Sequence, residues 1–371
     1  MAGRSSSNHF LPTLDGWRAI AISMVIISHC VTVEPAHDGG GGLVNLLTFR
    51  LGTFGVMLFF AISGYLISTR LLIEQESTGG ISLRSFYTRR VFRIIPPAYL
   101  YLAVIAVLAV TGIIKARPPD LAGAAFFFGN YVPSQSWFTG HFWSLAIEEH
   151  FYLFWPPILW LSGRRRAIPV GAFLIALTAF LRYRAMSHLP AGSDLPGYTQ
   201  FRLDAFMFPC MLAILLRTKT FARRFAGLVT PRVRVLAIAV LAAGIAAGTR
   251  FPGWREPQRL LQSALLPVIV VTTVLRPGDW FARLLQHPVL EWLGRISYSV
   301  YLWQQLVFGF APAADWKARL LALPLLLALI LALAAVSYRW VELPMMMWGK
   351  RISARVCSTT MPSSPPEASR Q

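Results

Sequence analysis

Apolar residues in this 371-residue chain gather into long blocks separated by short polar breaks. Blocks long enough to cross a bilayer, or nearly so, lie at about 14–33, 44–73, 97–114, 142–161, 167–181, 203–216, 233–249, 259–275, 290–311 and 320–342. They predict an all-α, polytopic membrane protein with about ten transmembrane helices. Segment 121–133 (LAGAAFFFGNYVP) reads as a re-entrant or interfacial piece. The membrane region is expected over 14–344, after a cytoplasmic segment 1–13 and before a polar, disordered cytoplasmic tail 345–371.

Composition agrees with that pattern. The chain is 55% hydrophobic and 14% charged, with mean hydropathy +0.54, which excludes an ordinary soluble domain. A net charge of +19 raises nucleic acid as a partner, but the Lys and Arg residues sit in short clusters between apolar runs and report topology instead. The rich connections carry Arg84, Arg89, Arg90 and Arg93; Arg164 to Arg166; Arg217 to Arg234; Arg276 and Arg283; and Lys350, Arg351 and Arg355. The alternate connections are sparser. The positive-inside rule then places both termini in the cytoplasm and loop 34–43, with Glu34, His37 and Asp38, outside. Arg4 before an apolar run raises a signal peptide, but the run is as long as a full span and lacks a small-residue cleavage site. Cys30, Cys210 and Cys357 have no paired or metal-ligand spacing, so neither a disulfide framework nor a metal site is expected.

The first span, LDGWRAIAISMVIISHCVTV, carries Asp15 and Arg18 at one end and His29 deep inside. Such residues are costly in a bilayer and mark function or an internal partner. Arg18 and His29 are eleven positions apart, roughly 16 Å along a helix and on one face. That face offers an anion site toward the cytoplasmic leaflet and an imidazole in the outer half. The competing account is a snorkelling arginine and a packed core histidine.

Arg90 and Arg93 are adjacent on a helical face, just before the Pro96-Pro97 step expected to mark the turn into the third span. Paired guanidiniums at a cytoplasmic helix end suit phosphate oxygens, with lipid headgroups as the simpler occupant. In the fourth span, His141, Ser144, Glu148 and Tyr152 recur at spacings of three and four and form one polar stripe, beside Trp143 and Glu149. Glu148 and Glu149 are expected at the depth of His29, where a carboxylate would orient the imidazole as a general base. An ion pair that only fixes helix packing is the alternative.

Elsewhere Ser63-Gly64 reads as a close helix crossing. Asp204, after Arg202, is expected to line the interior, and 233–249 and 259–275 to act as scaffold. Tyr298, Tyr301, Trp303 and Gln304 form a hydrogen-bonding aromatic face, for which an interfacial belt is the competing explanation. Arg339 and Glu342, three apart, are expected to pair.

In order along the chain, LDGWRAIAISMVIISH, FFAISGYLI, RRVFRIIPPAYL, HFWSLAIEEHFYLFWP, ISYSVYLW and YRWVELP resemble the acyltransferase-3 family of integral membrane acyltransferases, the O-antigen and exopolysaccharide O-acetylase type. The resemblance covers about 14–344. It implies a multi-pass protein of the bacterial plasma membrane, with no cofactor beyond the co-substrate. Such a protein moves an acyl group, most commonly acetyl, from cytoplasmic acyl-CoA to a hydroxyl of a glycan or lipid-linked sugar.

Carried over by motif, Arg18, Arg90 and Arg93 would hold the donor phosphates. His29 would act as general base or first acyl acceptor, with Glu148 or Glu149 assisting, while Asp15, Trp143, Ser144, His141 and Tyr152 support them. The chain departs from the family pattern at Met57, where relatives often carry Asp, and at Gln304, where they often carry His. With no hydrolase-like domain following the membrane region, acceptor specificity is expected to come from that region or a partner. A transporter or glycan exporter using the same buried polar residues is the rival class, although no inverted repeat is evident.

Overall fold

The computed structural model describes residues 11–31, 50–189, 195–311 and 316–359, and every regular element among them is helical. Loop 34–43 lies outside these residues. The main helices are α1 (Pro12–Val31), α2 (Leu51–Thr78), α3 (Leu83–Val110), α4 (Pro118–Ala125), α5 (Phe142–Met186), α6 (Leu203–Leu215), α7 (Lys219–Leu228), α8 (Pro231–Arg250), α9 (Arg255–Leu275), α10 (Pro288–Arg295), α11 (Ser297–Gly309), α12 (Trp316–Ser337) and α13 (Leu343–Thr359).

By length and apolarity, six helices among the described residues are able to cross a bilayer, or seven if α6 and α7, bent by 112°, count as one span. The chain is a multi-pass membrane protein. The six fall short of the expected ten for visible reasons. α1 carries Asp15, Arg18 and His29, while α6 and α11 are only 13 residues long. The blocks 142–161 and 167–181 are joined in the 45-residue α5, which breaks at Gly163 (φ 65°, ψ 170°). That left-handed backbone suits glycine because it has no Cβ to clash.

α1 lies at the centre, packed against α2, α10, α11 and α12, with Leu14, Ile22 and Val25 buried. Small residues make this possible. A Cβ at Gly16 would overlap the backbone at Leu285, and one at Gly294 would overlap the backbone at Asp15. The Ser63-Gly64 crossing forms as expected against α6: a Cβ at Gly64 would lie 2.8 Å from the Phe206 carbonyl oxygen.

Three local expectations are corrected. Pro96 and Pro97 sit inside α3, which starts at Leu83 behind a Ser82 cap, rather than marking its entry. Tyr298 donates its hydroxyl to the Ile94 carbonyl at 2.9 Å and secures the helix at this step. Residues 345–359, expected as part of the disordered tail, belong to α13, whose Gly349 and Trp348 pack on Phe92 of α3. Arg339 and Glu342 do not pair: residues 338–342 form a π-helical turn, wider than an α-turn, so a spacing of three no longer stacks them. Arg339 is exposed, and buried Glu342 accepts from the Ser299 hydroxyl at 2.9 Å.

Candidate active site

The site has two ends. At the end where α2 finishes and α3 begins, a cavity of about 100 Å³ is lined by Arg70, Glu74, Arg89, Arg90, Arg93 and Lys350, among others. Arg89 is engaged by Glu74 at 3.5 Å and by Ser85 and Ser353. Arg70, Arg90 and Arg93 make no ion pair among the described residues. Arg18 meets the Asp15 carboxylate at 3.1 Å and lies within electrostatic range of all three. The expected Arg18, Arg90 and Arg93 are therefore brought together, and Arg70 joins them. Sequence reasoning missed Arg70, although a lone arginine inside ISGYLISTRLLI was the available signal.

From this cluster a column of polar side chains runs up α5. The Arg90 guanidinium sits 4.8 Å from the Tyr152 ring centre. The Tyr152 and Ser63 hydroxyls both donate to Glu148 Oε1. Nearly a turn further, Ser144 and Tyr301 exchange a hydrogen bond of 2.6 Å, and Tyr301 also donates to the His141 carbonyl at 3.0 Å. The expected stripe of His141, Ser144, Glu148 and Tyr152 is thus a real face, turned inward onto α2 and α11. Ser63 belongs to this column as well as to the crossing. Glu149, half-buried, makes no hydrogen bond among the described residues.

At the opposite end a cavity of about 650 Å³ is lined by His29, Met57, Trp137, His141, Trp143 and Tyr301 on one side. Arg50, Arg182, Arg202, Asp204, Arg255 and Arg259 line the other. His29 Nδ1 meets Gln304 Oε1 at 2.8 Å, and the His29 ring packs edge-on against Trp137 with centroids 5.5 Å apart. An amide oxygen only accepts, so Nδ1 carries the hydrogen and Nε2 keeps its lone pair. His141 is buried, with neither ring nitrogen hydrogen-bonded among the described residues, and its ring lies against Tyr101 and Tyr301.

The expected partnership of His29 with Glu148 or Glu149 is not formed. His141, just before α5 begins at Phe142, shares the cavity lining with His29, and Glu148 lies seven residues further along, roughly 10 Å, outside that lining. The tautomer-fixing partner is instead Gln304, on α11.

A family model described as an acyltransferase domain matches residues 11–339. The chain belongs to the acyltransferase-3 family. It is 29% identical over 363 residues to the Staphylococcus aureus (strain COL) protein named "Putative O-acetyltransferase SACOL0978", covering 90% of this chain and 57% of that one. It is 26% identical over 376 residues to the Listeria monocytogenes protein named "Peptidoglycan O-acetyltransferase OatA", covering 91% and 56%. It is also 26% identical over 387 residues to the Bacillus subtilis protein named "Putative peptidoglycan O-acetyltransferase YrhL", covering 96% and 58%. The chain spans a little more than half the length of these curated relatives. No solved structure matches it.

Both departures noted from the acyltransferase-3 pattern fall at the larger cavity. Met57 lines it, and Gln304 is the direct partner of His29. Gln304 was grouped in sequence with an aromatic face, and that face is internal: Gln304, Tyr301 and Trp303 are all buried, which overturns the interfacial-belt explanation. Asp204 does line the interior, as expected. Its carboxylate is held by Arg182 through two hydrogen bonds of 3.1 and 3.0 Å, a pairing between α5 and α6 that no local spacing announces.

Proposed function

We propose that this chain is a membrane O-acyltransferase of the bacterial plasma membrane. It takes an acetyl group from acetyl-CoA at the arginine end and transfers it to a hydroxyl of a cell-envelope glycan in the outer cavity. On this reading the arginine end is cytoplasmic, both termini are cytoplasmic, and the chain crosses ten times, with Gly163 separating two passes within α5. Membership of the acyltransferase-3 family supports the reaction class, and the names of the relatives support acetyl as the group and a glycan as the acceptor.

The observation that carries the reading is the order of groups along the bundle: guanidiniums, then the Tyr152–Glu148–Ser63 cluster, then Ser144–Tyr301, then a base-ready imidazole in a larger cavity. Arg18, Arg70, Arg90 and Arg93 hold the donor phosphates by charge-assisted hydrogen bonds. The acyl arm follows the column toward His29. There Nε2 takes the proton of the acceptor hydroxyl, the oxygen attacks the thioester carbonyl, the C–S bond breaks, and the leaving thiolate receives the proton. Gln304 keeps Nδ1 protonated throughout.

The test is transfer of label from acetyl-labelled acetyl-CoA, added outside inverted membrane vesicles, to an envelope glycan extract sealed inside them, on the side that the outer cavity faces. Wild type should label the glycan and His29→Ala should not. Full transfer by a folded, inserted His29→Ala protein overturns the assignment. If no label leaves CoA, with acetyl or longer acyl donors, the enzyme reading gives way to a transporter.

A further inference from the structure

The outer cavity is rich in guanidinium groups. Five guanidiniums line it, those of Arg50, Arg182, Arg202, Arg255 and Arg259. Among the described residues, the carboxylates of Asp204 and Glu256 on this side are already engaged. Asp204 is clasped by Arg182, whose Nε also reaches Glu256 at 2.8 Å, and Glu256 lies 3.5 Å from Arg259.

Arg202 is the residue left over. Only 9% exposed, it makes no side-chain hydrogen bond or ion pair among the described residues, and its Nε is buried without a partner. Arg182 and Arg259, of the same charge, lie within electrostatic range of it, as do the carboxylates of Asp204 and Glu256, which Arg182 already engages. A buried guanidinium that faces a cavity and makes no hydrogen bond or ion pair among the described residues suits an anion as its partner. The planar fork of arginine matches a carboxylate or phosphate group. The cavity is large enough for a sugar unit, since small-molecule sites run from about 300 to 1,000 Å³. Aromatic rings of Trp137, Trp143 and Tyr198 stand on the same lining.

We propose that the acceptor is an anionic saccharide whose carboxylate or phosphate group seats on Arg202, placing a hydroxyl of the same molecule in the cavity at His29. This rests on the acyltransferase reading for the role of His29. The anion site itself stands on the cavity alone, so the two are tested separately.

The first arm needs no donor. Thermal stabilisation of the detergent-solubilised full chain is measured with inorganic pyrophosphate, with glucuronic acid, and with glucose as the neutral control. At least one anion should raise the midpoint while glucose does not. All variants are compared in an Arg93→Gln background, which weakens the phosphate site proposed at the other end of the bundle; there the shift should be lost in Arg202→Gln and partly kept in Arg202→Lys. Response to pyrophosphate alone assigns a phosphate ligand, and response to glucuronic acid alone a carboxylate. The absence of any anion-dependent shift, or an equal shift in Arg202→Gln, overturns the proposal.

The second arm is transfer. With an anionic acceptor, Arg202→Gln should raise the acceptor KM about tenfold or more and leave the acetyl-CoA KM unchanged. Equal use of neutral and anionic acceptors by wild type, unaltered in Arg202→Gln, also overturns it. Loss of transfer with the anion shift intact instead tells against the acyltransferase reading.

Discussion

His29 and Gln304, 275 residues apart in sequence, meet through Nδ1 and Oε1 at 2.8 Å. The contact ties the central helix to α11 and uses a neutral amide where many hydrolytic sites use a carboxylate. A neutral partner fixes the tautomer without adding a counter-charge for the imidazolium.

Gln304→Leu should therefore leave the fold intact and lower the rate constant for acetyl transfer about a hundredfold, the contribution expected of a positioned base. Gln304→Glu, which still accepts from Nδ1, should retain more activity than Gln304→Leu. Steady-state transfer with saturating acetyl-CoA distinguishes the two, and equal activities would show that the contact does not orient His29.

Glu148 acts at a distance from the imidazole, as acceptor for two hydroxyls. Glu148→Gln keeps a carbonyl oxygen in place and should be tolerated in stability. Glu148→Ala strands the Ser63 and Tyr152 hydroxyls in the interior and should cost about 1–3 kcal/mol. Thermal midpoints of the solubilised variants give the comparison, and a Glu148→Ala midpoint equal to wild type would contradict it.

Backbone proximity at Gly64 leaves no room for a side chain. Gly64→Val should separate α2 from α6 and destabilise the protein by about 1–3 kcal/mol, with aggregation in detergent chromatography as the visible sign. A monodisperse Gly64→Val protein with the wild-type midpoint would refute this.

Outside the spans, the Arg117 side chain donates to Asp120 from Nε at 3.1 Å and from Nη2 at 2.8 Å. These hydrogen bonds hold the Asp120 carboxyl below its ordinary pKa. A depressed folded pKa means that the contribution to stability is complete above the ordinary carboxylate range and fades as pH falls through the lowered value. Asp120→Asn should thus show its full loss of thermal midpoint at neutral pH, and the gap from wild type should narrow below about pH 4. A gap independent of pH would rule out the ionised carboxylate as its source.

Periodic features were legible in the sequence and contact pairs were not. Arg90 with Arg93, and the stripe from His141 to Tyr152, obey helical spacing, and both occupy single faces in the fold. The partner of His29 required knowing which helix lies beside α1, and an amide in an aromatic run carries no signal of that. Arg182 with Asp204 escaped for the same reason. Arg339 and Glu342 misled because the rule for pairs three apart assumes an α-turn, whereas their segment is a π-turn. Glu148 was placed too close to His29 because the apolar pattern gives the extent of α5 but not its height against α1.

The cavities at the two ends share no lining residue. Between them stand Tyr152, Glu148 and Ser63, joined by hydrogen bonds. On the proposed reading, an acyl arm passing from one cavity to the other has to part these contacts, so transfer needs the column to open.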